Sequence, residues 1–214
     1  MRQALKVVAV RAVQGFRSIA YMAATTLVGS PPVELLAEER CILYWGTKEL
    51  RERGEATARE LSALKSHVVA RTLQKWEDAM FDPREFGQLT MTAVRPCLAE
   101  FAGRRGRGLT YHLVQVMTGH GCFGQYLHRI KKEPITECHH CPELDDTAHH
   151  TLSECPAWDR ERGVQARAVG CRDNEVTLPC MTNQINKSSS RDILILNMES
   201  NGGHMEKVKE DIQH

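Results

Sequence analysis

The spacing that most restricts this chain is C-x2-C-x8-H-x4-C, formed by Cys138, Cys141, His150 and Cys155. Three thiolates and one imidazole in this order make a closed tetrahedral site for a structural Zn²⁺, with no coordination position left open for catalysis. The segment that carries them, residues 137–158, is hydrophilic and has too little apolar surface to hold a shape by burial alone. A bound ion supplies the difference, since zinc contributes roughly 10–16 kcal/mol of apparent free energy in small modules of this kind. Spacing alone leaves the choice of imidazole open. His139 and His140 lie inside the C-x2-C turn and are expected to point outward, whereas His149 and His150 are adjacent and project in different directions. His150, with its four-residue loop to Cys155, is the favoured ligand, and His149 is the alternative.

The rest of the chain reads as helical. Leu5, Val8, Ala12, Phe16, Ile19, Ala23 and Leu27 recur at steps of three and four, which is one apolar helix face. Gly15 is expected to divide this run into two helices, with Ser18 capping the second. Ser30-Pro31-Pro32 stops that segment and starts another, because proline is tolerated only in a helix's first turn. Leu35, Leu36, Ile42 and Leu43 carry the next face to about Arg53, where Gly54 ends it. Over residues 56–80 the stripe Leu61, Leu64, Val68, Leu73, Trp76 and Met80 predicts a long helix, terminated by Asp82-Pro83. No alternating strand pattern of comparable strength is present. The fold class expected is mainly α: a helical bundle, then a small CCHC zinc-binding module, then a disordered tail. With 42% hydrophobic residues and only 6% aromatic ones, the core should be aliphatic.

Charge divides the second half sharply. Residues 103–132 hold six basic residues (Arg104, Arg105, Arg107, Arg129, Lys131 and Lys132) and no acidic one. Residues 133–161 hold eight acidic residues against one basic, although the whole chain carries only +1. A phosphate backbone is attracted to the first stretch and repelled by the second. Those six cations are therefore the candidate nucleic-acid contacts, and the acidic module acts as a clip that orients its neighbours. Eight cysteines do not indicate a secreted disulfide frame. Three have ligand spacing, and Cys41, Cys97, Cys122, Cys171 and Cys180 are scattered, which fits a reducing intracellular compartment, nuclear or cytoplasmic. No run of about twenty apolar residues is present, so no membrane span is expected.

The string LVQVMTGHGCFGQYLHRIK at residues 113–131, followed by ECHHCPELDDTAHHTLSECPAWDRER, resembles the C-terminal region of non-LTR retrotransposon polyproteins. These are reverse transcriptases that prime on a nicked target DNA. The upstream string VVAVRAVQGFRSIAYMAATTLVGSPPVELLAEER resembles the helical segment that follows the polymerase domain in the same proteins. The likeness runs from about Lys6 to Arg162 and is thin between Lys48 and Leu73. It implies that DDTA-x-H-T-L-x-x-C closes a cysteine–histidine finger, which selects His150 over His149. It further implies a division into residues 1–102 as the post-polymerase helical segment, 103–132 as a basic loop and linker helix, 133–162 as the finger, and 163–214 as a divergent, disordered tail. The partners implied are template RNA or target DNA.

Catalysis is not carried over. Polymerases of that family use an aspartate pair in a turn between strands, where two metals act on the primer hydroxyl. The adjacent aspartates here, Asp145 and Asp146, fall inside the zinc loop and are expected to cap or hydrogen-bond within it. Polymerase and endonuclease would precede residue 1, and the acidic constellation of a downstream nuclease is not recognisable in residues 171–214. No nucleophile elbow, phosphate-binding loop or paired-histidine metalloprotease helix is present. Cys122 lies two residues from His120, which is weak evidence for a dyad, and no catalytic residue is assigned. The tail departs from the family after about Gly170. Residues 183–191 are polar and serine-rich, 193–196 are a short apolar run, and 198–214 are polar with glycines, where disorder is expected. A non-catalytic, zinc-binding, nucleic-acid-binding remnant of such a polyprotein is the leading reading. A zinc-stabilised protein-interaction module, or a fragment of a decayed element without function, is the alternative.

Overall fold

The structure, a computed structural model, describes residues 1–102 and 109–169. Arg104, Arg105 and Arg107 therefore lie outside the described residues, as does the tail from Gly170 with its expected disorder and its 193–196 run. Among the described residues there are nine α-helices and no strand. They are α1 (Arg2–Ala12), α2 (Tyr21–Val28), α3 (Val33–Glu52), α4 (Ala58–Ala79), α5 (Gln88–Val94), α6 (Leu98–Ala102), α7 (Tyr111–Thr118), α8 (Gly124–Arg129) and α9 (Asp159–Val169). None is long and apolar enough to cross a membrane.

α2 is the centre. Met22, Ala23, Ala24, Thr25, Thr26 and Leu27 are all buried, so the helix is covered on every side, as an apolar helix without a polar face must be. The Thr25 hydroxyl tolerates this because it donates to the carbonyls of Tyr21 and Met22, each at 3.1 Å. Gly29 closes α2 in the left-handed region at φ 75°, where glycine carries no Cβ penalty. α1 and α5 pack against this centre, and α7 packs against α5. Gly87, at φ 97°, starts α5 so close to α2 that a Cβ there would sit 2.7 Å from that of Ala23. The buried Thr90 hydroxyl donates to the carbonyl of Met117 at 2.8 Å and ties α5 to α7.

Gly15 lies in the break between α1 and α2, as expected, next to Gln14 in the left-handed region at φ 54°. Two other local expectations fail at this junction. α1 buries Ala9, Val10 and Val13, whereas Val8 is 63% exposed. The step-of-four series through Val8, Ala12 and Phe16 ran across the break, and so it took the wrong phase on the first side of it. Ser18 does not cap α2, which begins at Tyr21 after Ala20 with no side-chain cap. Its hydroxyl instead lies 3.1 Å from the phenol oxygen of Tyr126, 108 residues away.

α3 and α4 form an antiparallel hairpin. Gly54 (φ 73°) ends the first helix region, and Thr57 accepts the Glu60 amide at 3.2 Å to cap the second. The two helices approach closely where α3 has Gly46, since a Cβ there would meet Leu64 at 2.9 Å. Glu38 of α3 accepts from Lys75 at 2.5 Å and Arg71 at 3.0 Å of α4. Only the far end of α4 enters the core, through Val68, Thr72 and Trp76, while α3 has no fully buried residue. The core itself is one apolar cluster. It runs from Ala9, Val10 and Val13 through Trp76, Met91, Leu113 and Met117 to Phe123, Tyr126 and Leu127, and it includes Ala148, Leu152 and Ala166 beyond them. Each fully buried side chain of this size contributes roughly 1.5–3 kcal/mol.

Candidate metal centre

Past α8 the chain turns at Lys131, which sits in the left-handed region at φ 60°. Amides of Lys131 and Lys132 donate to the carbonyls of His128 and Leu127 at 2.9 Å each, which finishes the helix. The chain then runs back beside α8. There Gly124 is obligatory: a Cβ would meet the Thr136 carbonyl oxygen at 2.6 Å, and a backbone atom cannot move aside cheaply. Asp146 locks this contact. Its amide donates to the Thr136 carbonyl at 2.8 Å, and its carbonyl accepts the Gln125 amide at 3.0 Å. Its carboxylate accepts the Gly124 amide at 2.8 Å and the Thr151 hydroxyl at 3.1 Å. Asp146 is buried and Asp145 is exposed, so the pair shares no common environment. The expectation of capping is met for Asp146, but its amide partner lies on α8 rather than within the finger.

The ligand turn is built the same way. The Cys138 amide donates to the Glu143 carbonyl at 2.9 Å, closing the C-x2-C knuckle. The His140 amide points at the Cys138 sulfur at 3.5 Å. His139 and His140 are exposed, as their place in the turn implies. Downstream, the Thr147 hydroxyl accepts the His150 amide at 3.0 Å and starts a short π-helical turn, His150–Glu154. The Cys155 amide donates to the His150 carbonyl at 2.8 Å. That five-residue closure is why four intervening residues bring both side chains to one point. A 3₁₀ turn, Pro156–Trp158, then leads into α9.

The sulfurs of Cys138, Cys141 and Cys155 and a ring nitrogen of His150 all lie within 4.8 Å of one another. The Cys138 and Cys155 sulfurs are 4.0 Å apart, and the Cys141 sulfur is 3.3 Å from His150 Nε2. A tetrahedron with Zn–S near 2.3 Å and Zn–N near 2.0 Å has S–S and S–N edges of about 3.8 Å and about 3.6 Å. The Cys138–Cys155 and Cys141–His150 edges are near those lengths, and 4.0 Å between sulfurs is far too long for a disulfide. No disulfide joins cysteines among the described residues. His150 is 4% exposed and joins the cluster. The His149 side chain is 61% exposed and contacts Glu154 at 3.3 Å, away from the sulfurs. The residues can therefore hold a metal ion.

Electrostatics point the same way. Burial pushes the Cys155 thiol up to about 12, with Cys141 and Cys138 beside it adding to the rise. Burial also raises Cys138. Three sulfurs this close cannot all ionise without a cation between them, whereas a divalent ion deprotonates its thiols outright. His150 Nδ1 is buried without a hydrogen bond, and the nearest carboxylate oxygen, on Glu154, is 3.7 Å away. That separation is longer than a hydrogen bond, so Glu154 reaches His150 by charge rather than by the hydrogen bond with which a carboxylate commonly steadies a ligand imidazole. Arg162, 7% exposed, donates to the Cys155 carbonyl at 2.8 Å and pairs with Asp159. A buried cation at the last ligand's backbone had no signal in the sequence beyond a charged run. Trp158 is half-buried and packs edge-on against the His140 ring at 5.1 Å, so it covers the knuckle.

Of the six expected phosphate contacts, Arg129, Lys131 and Lys132 are placed, all exposed, at the end of α8 where the metal module begins. Arg129 lies 5.0 Å from the centre of the Tyr126 ring and donates to His120 Nε2 at 3.1 Å. His120 Nδ1 is 2.8 Å from the Thr118 carbonyl, so its proton belongs there in the neutral ring. Burial lowers the His120 pKa and keeps that ring neutral. With both nitrogens engaged, His120 is not available to activate Cys122.

The chain is 39% identical over 67 residues to the "Retrovirus-related Pol polyprotein from type-1 retrotransposable element R1" of Popillia japonica. This partial likeness supports a retrotransposon-related protein. The match covers 30% of the chain and 27% of that polyprotein, so the chain corresponds to little more than a quarter of it. No protein-family model matches, and no solved structure does.

Proposed function

We propose that this chain is a non-catalytic, nucleic-acid-holding part of a retrotransposon reverse transcriptase. In this reading Cys138, Cys141, His150 and Cys155 hold a structural Zn²⁺. The ion neutralises thiolates and holds the acidic module's shape, while Asp146 fastens that module to α8, so that Arg129, Lys131 and Lys132 bind a template RNA or target DNA, with Arg104, Arg105 and Arg107 as further contacts. The observation that carries the reading is the convergence of three sulfurs and one buried imidazole within 4.8 Å of one another. The partial likeness to a retrotransposon Pol polyprotein supplies the nucleic-acid context. The module's net negative charge keeps phosphates on the basic side and fixes orientation rather than adding affinity. An intracellular setting, nuclear or cytoplasmic, follows from reduced thiol ligands.

The test is metal content followed by binding. The purified chain should carry about one zinc, and a labelled duplex should bind with a log–log salt slope of about −5 if six phosphates are neutralised. Alanine at Arg129, Lys131 and Lys132, or at Arg104, Arg105 and Arg107, should weaken binding and flatten that slope. Metal-free protein indifferent to chelators would overturn the zinc assignment, and unchanged binding in both triple variants would overturn the nucleic-acid one.

A further inference from the structure

The α3–α4 hairpin carries a feature that the metal module and the α8 cations do not account for. Beside the Gly46–Leu64 crossing, a groove of about 590 Å³ is lined by Arg40, Lys48, Arg51, Lys65, Tyr44 and Glu39, with Leu43 and Thr47 also in its wall. Four cations thus face one carboxylate. The imbalance is not an average property of the helix. The other acids of α3 are each engaged by a cation: Glu34 by Arg2, Glu38 by Lys75 and Arg71, Glu49 by Arg53, and Glu52 by Lys48 at 3.8 Å. Arg40, Arg51 and Lys65 make no ion pair with a described residue, and all three are exposed. On α3, therefore, every acid but Glu39 is paired, and its two unpaired cations, Arg40 and Arg51, both lie in the groove.

Aromatic surface sits at the same place. Tyr44 is 64% exposed and Trp45 57% exposed, their rings in edge contact at 5.2 Å. The Lys48 ammonium lies 5.1 Å from the Trp45 ring centre. In a chain with three tryptophans, Trp76 is fully buried and Trp158 half-buried, so Trp45 is the one given to solvent. A basic groove that follows a backbone, beside open ring faces, is the combination that binds single strands, because unpaired bases stack on aromatic rings while cations meet phosphates. A duplex keeps its bases stacked internally and leaves such rings unused. An apposed copy of the same groove would bring like charges together.

We propose that the α3–α4 groove binds a single-stranded polynucleotide, with Arg40, Arg51 and Lys65 on its phosphates and Tyr44 and Trp45 stacking its bases. This site is separate from the α8 cations and stands whether or not those contact nucleic acid.

The test uses the full, metal-loaded chain and a fluorescein-labelled oligouridylate 15-mer. Replacing Arg40, Arg51 and Lys65 with alanine should reduce the magnitude of the single-strand salt slope by about two. Tyr44→Ala with Trp45→Ala should weaken binding about tenfold with the slope unchanged. Unlabelled oligouridylate should quench tryptophan emission in the parent and not in Trp45→Phe. All five side chains are exposed, so the variants should melt like the parent. Parental affinity in both groove variants, stronger competition by a duplex of equal length, or an effect confined to self-association with an acidic module of a second copy would overturn the proposal. The Arg129, Lys131 and Lys132 triple variant should keep the Trp45 quenching, which separates failure at this groove from failure at α8.

Discussion

Replacing Asp146 with alanine tests how the metal module is joined to the bundle. The carboxylate makes two hydrogen bonds, to the Gly124 amide and the Thr151 hydroxyl, and is 6% exposed. Their loss is unequal. Thr151 is half-buried and its hydroxyl can turn to water, at a cost below about 1 kcal/mol. Gly124 is buried at the first turn of α8, and its amide would be left without an acceptor, at about 1–3 kcal/mol. Removing a negative charge from a helix start adds about 0.5 kcal/mol. The total is about 3 kcal/mol, which for a unit of this size lowers the melting midpoint by about 10 °C. Asp146→Asn keeps one acceptor and should lose about half as much. The assay is thermal unfolding followed by circular dichroism, with free zinc buffered at one level so that mass action on the metal is constant. Asp146→Ala should still bind one metal, because no ligand is touched. A midpoint within about 2 °C of the parent would refute the argument, as would a variant that unfolds normally but cannot hold metal.

His150→Ala should be empty at a chelator level that leaves the parent loaded, and His149→Ala should stay loaded; metal analysis after dialysis decides between them. Glu154→Ala should weaken metal binding by about tenfold in a chelator competition, the low end for an outer-shell carboxylate because its contact to His150 is long. Metal affinity should rise with pH: Cys138 and Cys155, both raised, must each release a proton to bind, so these two alone give about a hundredfold per pH unit near neutrality. In the metal-free fold the sign is opposite, because raised thiols favour the folded state below the ordinary thiol range; that contribution fades as pH climbs toward about 12, read as falling apo stability in alkaline melts. Gly124→Ala should destabilise by about 2–3 kcal/mol in denaturant titrations, since the displaced atom is backbone.

The helices were legible where periodicity and punctuation agreed. Gly54 ends the α3 region as expected, and Trp76 and Met80 lie buried on the face their spacing assigned. The pattern failed where tertiary contacts overrode local rules, as when Tyr126 drew the Ser18 hydroxyl away from a helix cap. At the metal centre, spacing picked out the three cysteines, but two adjacent histidines carry the same chemistry; burial distinguishes them, and burial depends on a π turn that no residue count reveals. Asp146 was visible only as half of an aspartate pair, because its amide partner Gly124 is 22 residues away. The α3–α4 groove was hidden for a different reason. Its cations alternate along the sequence with acids, and only the pattern of ion pairing shows which of them are left over.

The shared cluster that links Ala9 and Val10 with Leu152 and Ala166 has a consequence for biosynthesis. α1 is synthesised well before Leu152 and Ala166, so the cluster it shares with them is completed only after the final ligand and α9 have followed it. Until then its greasy side stays open to chaperones and proteases. Its exposure in the nascent chain therefore lasts as long as the later members of the cluster take to fold.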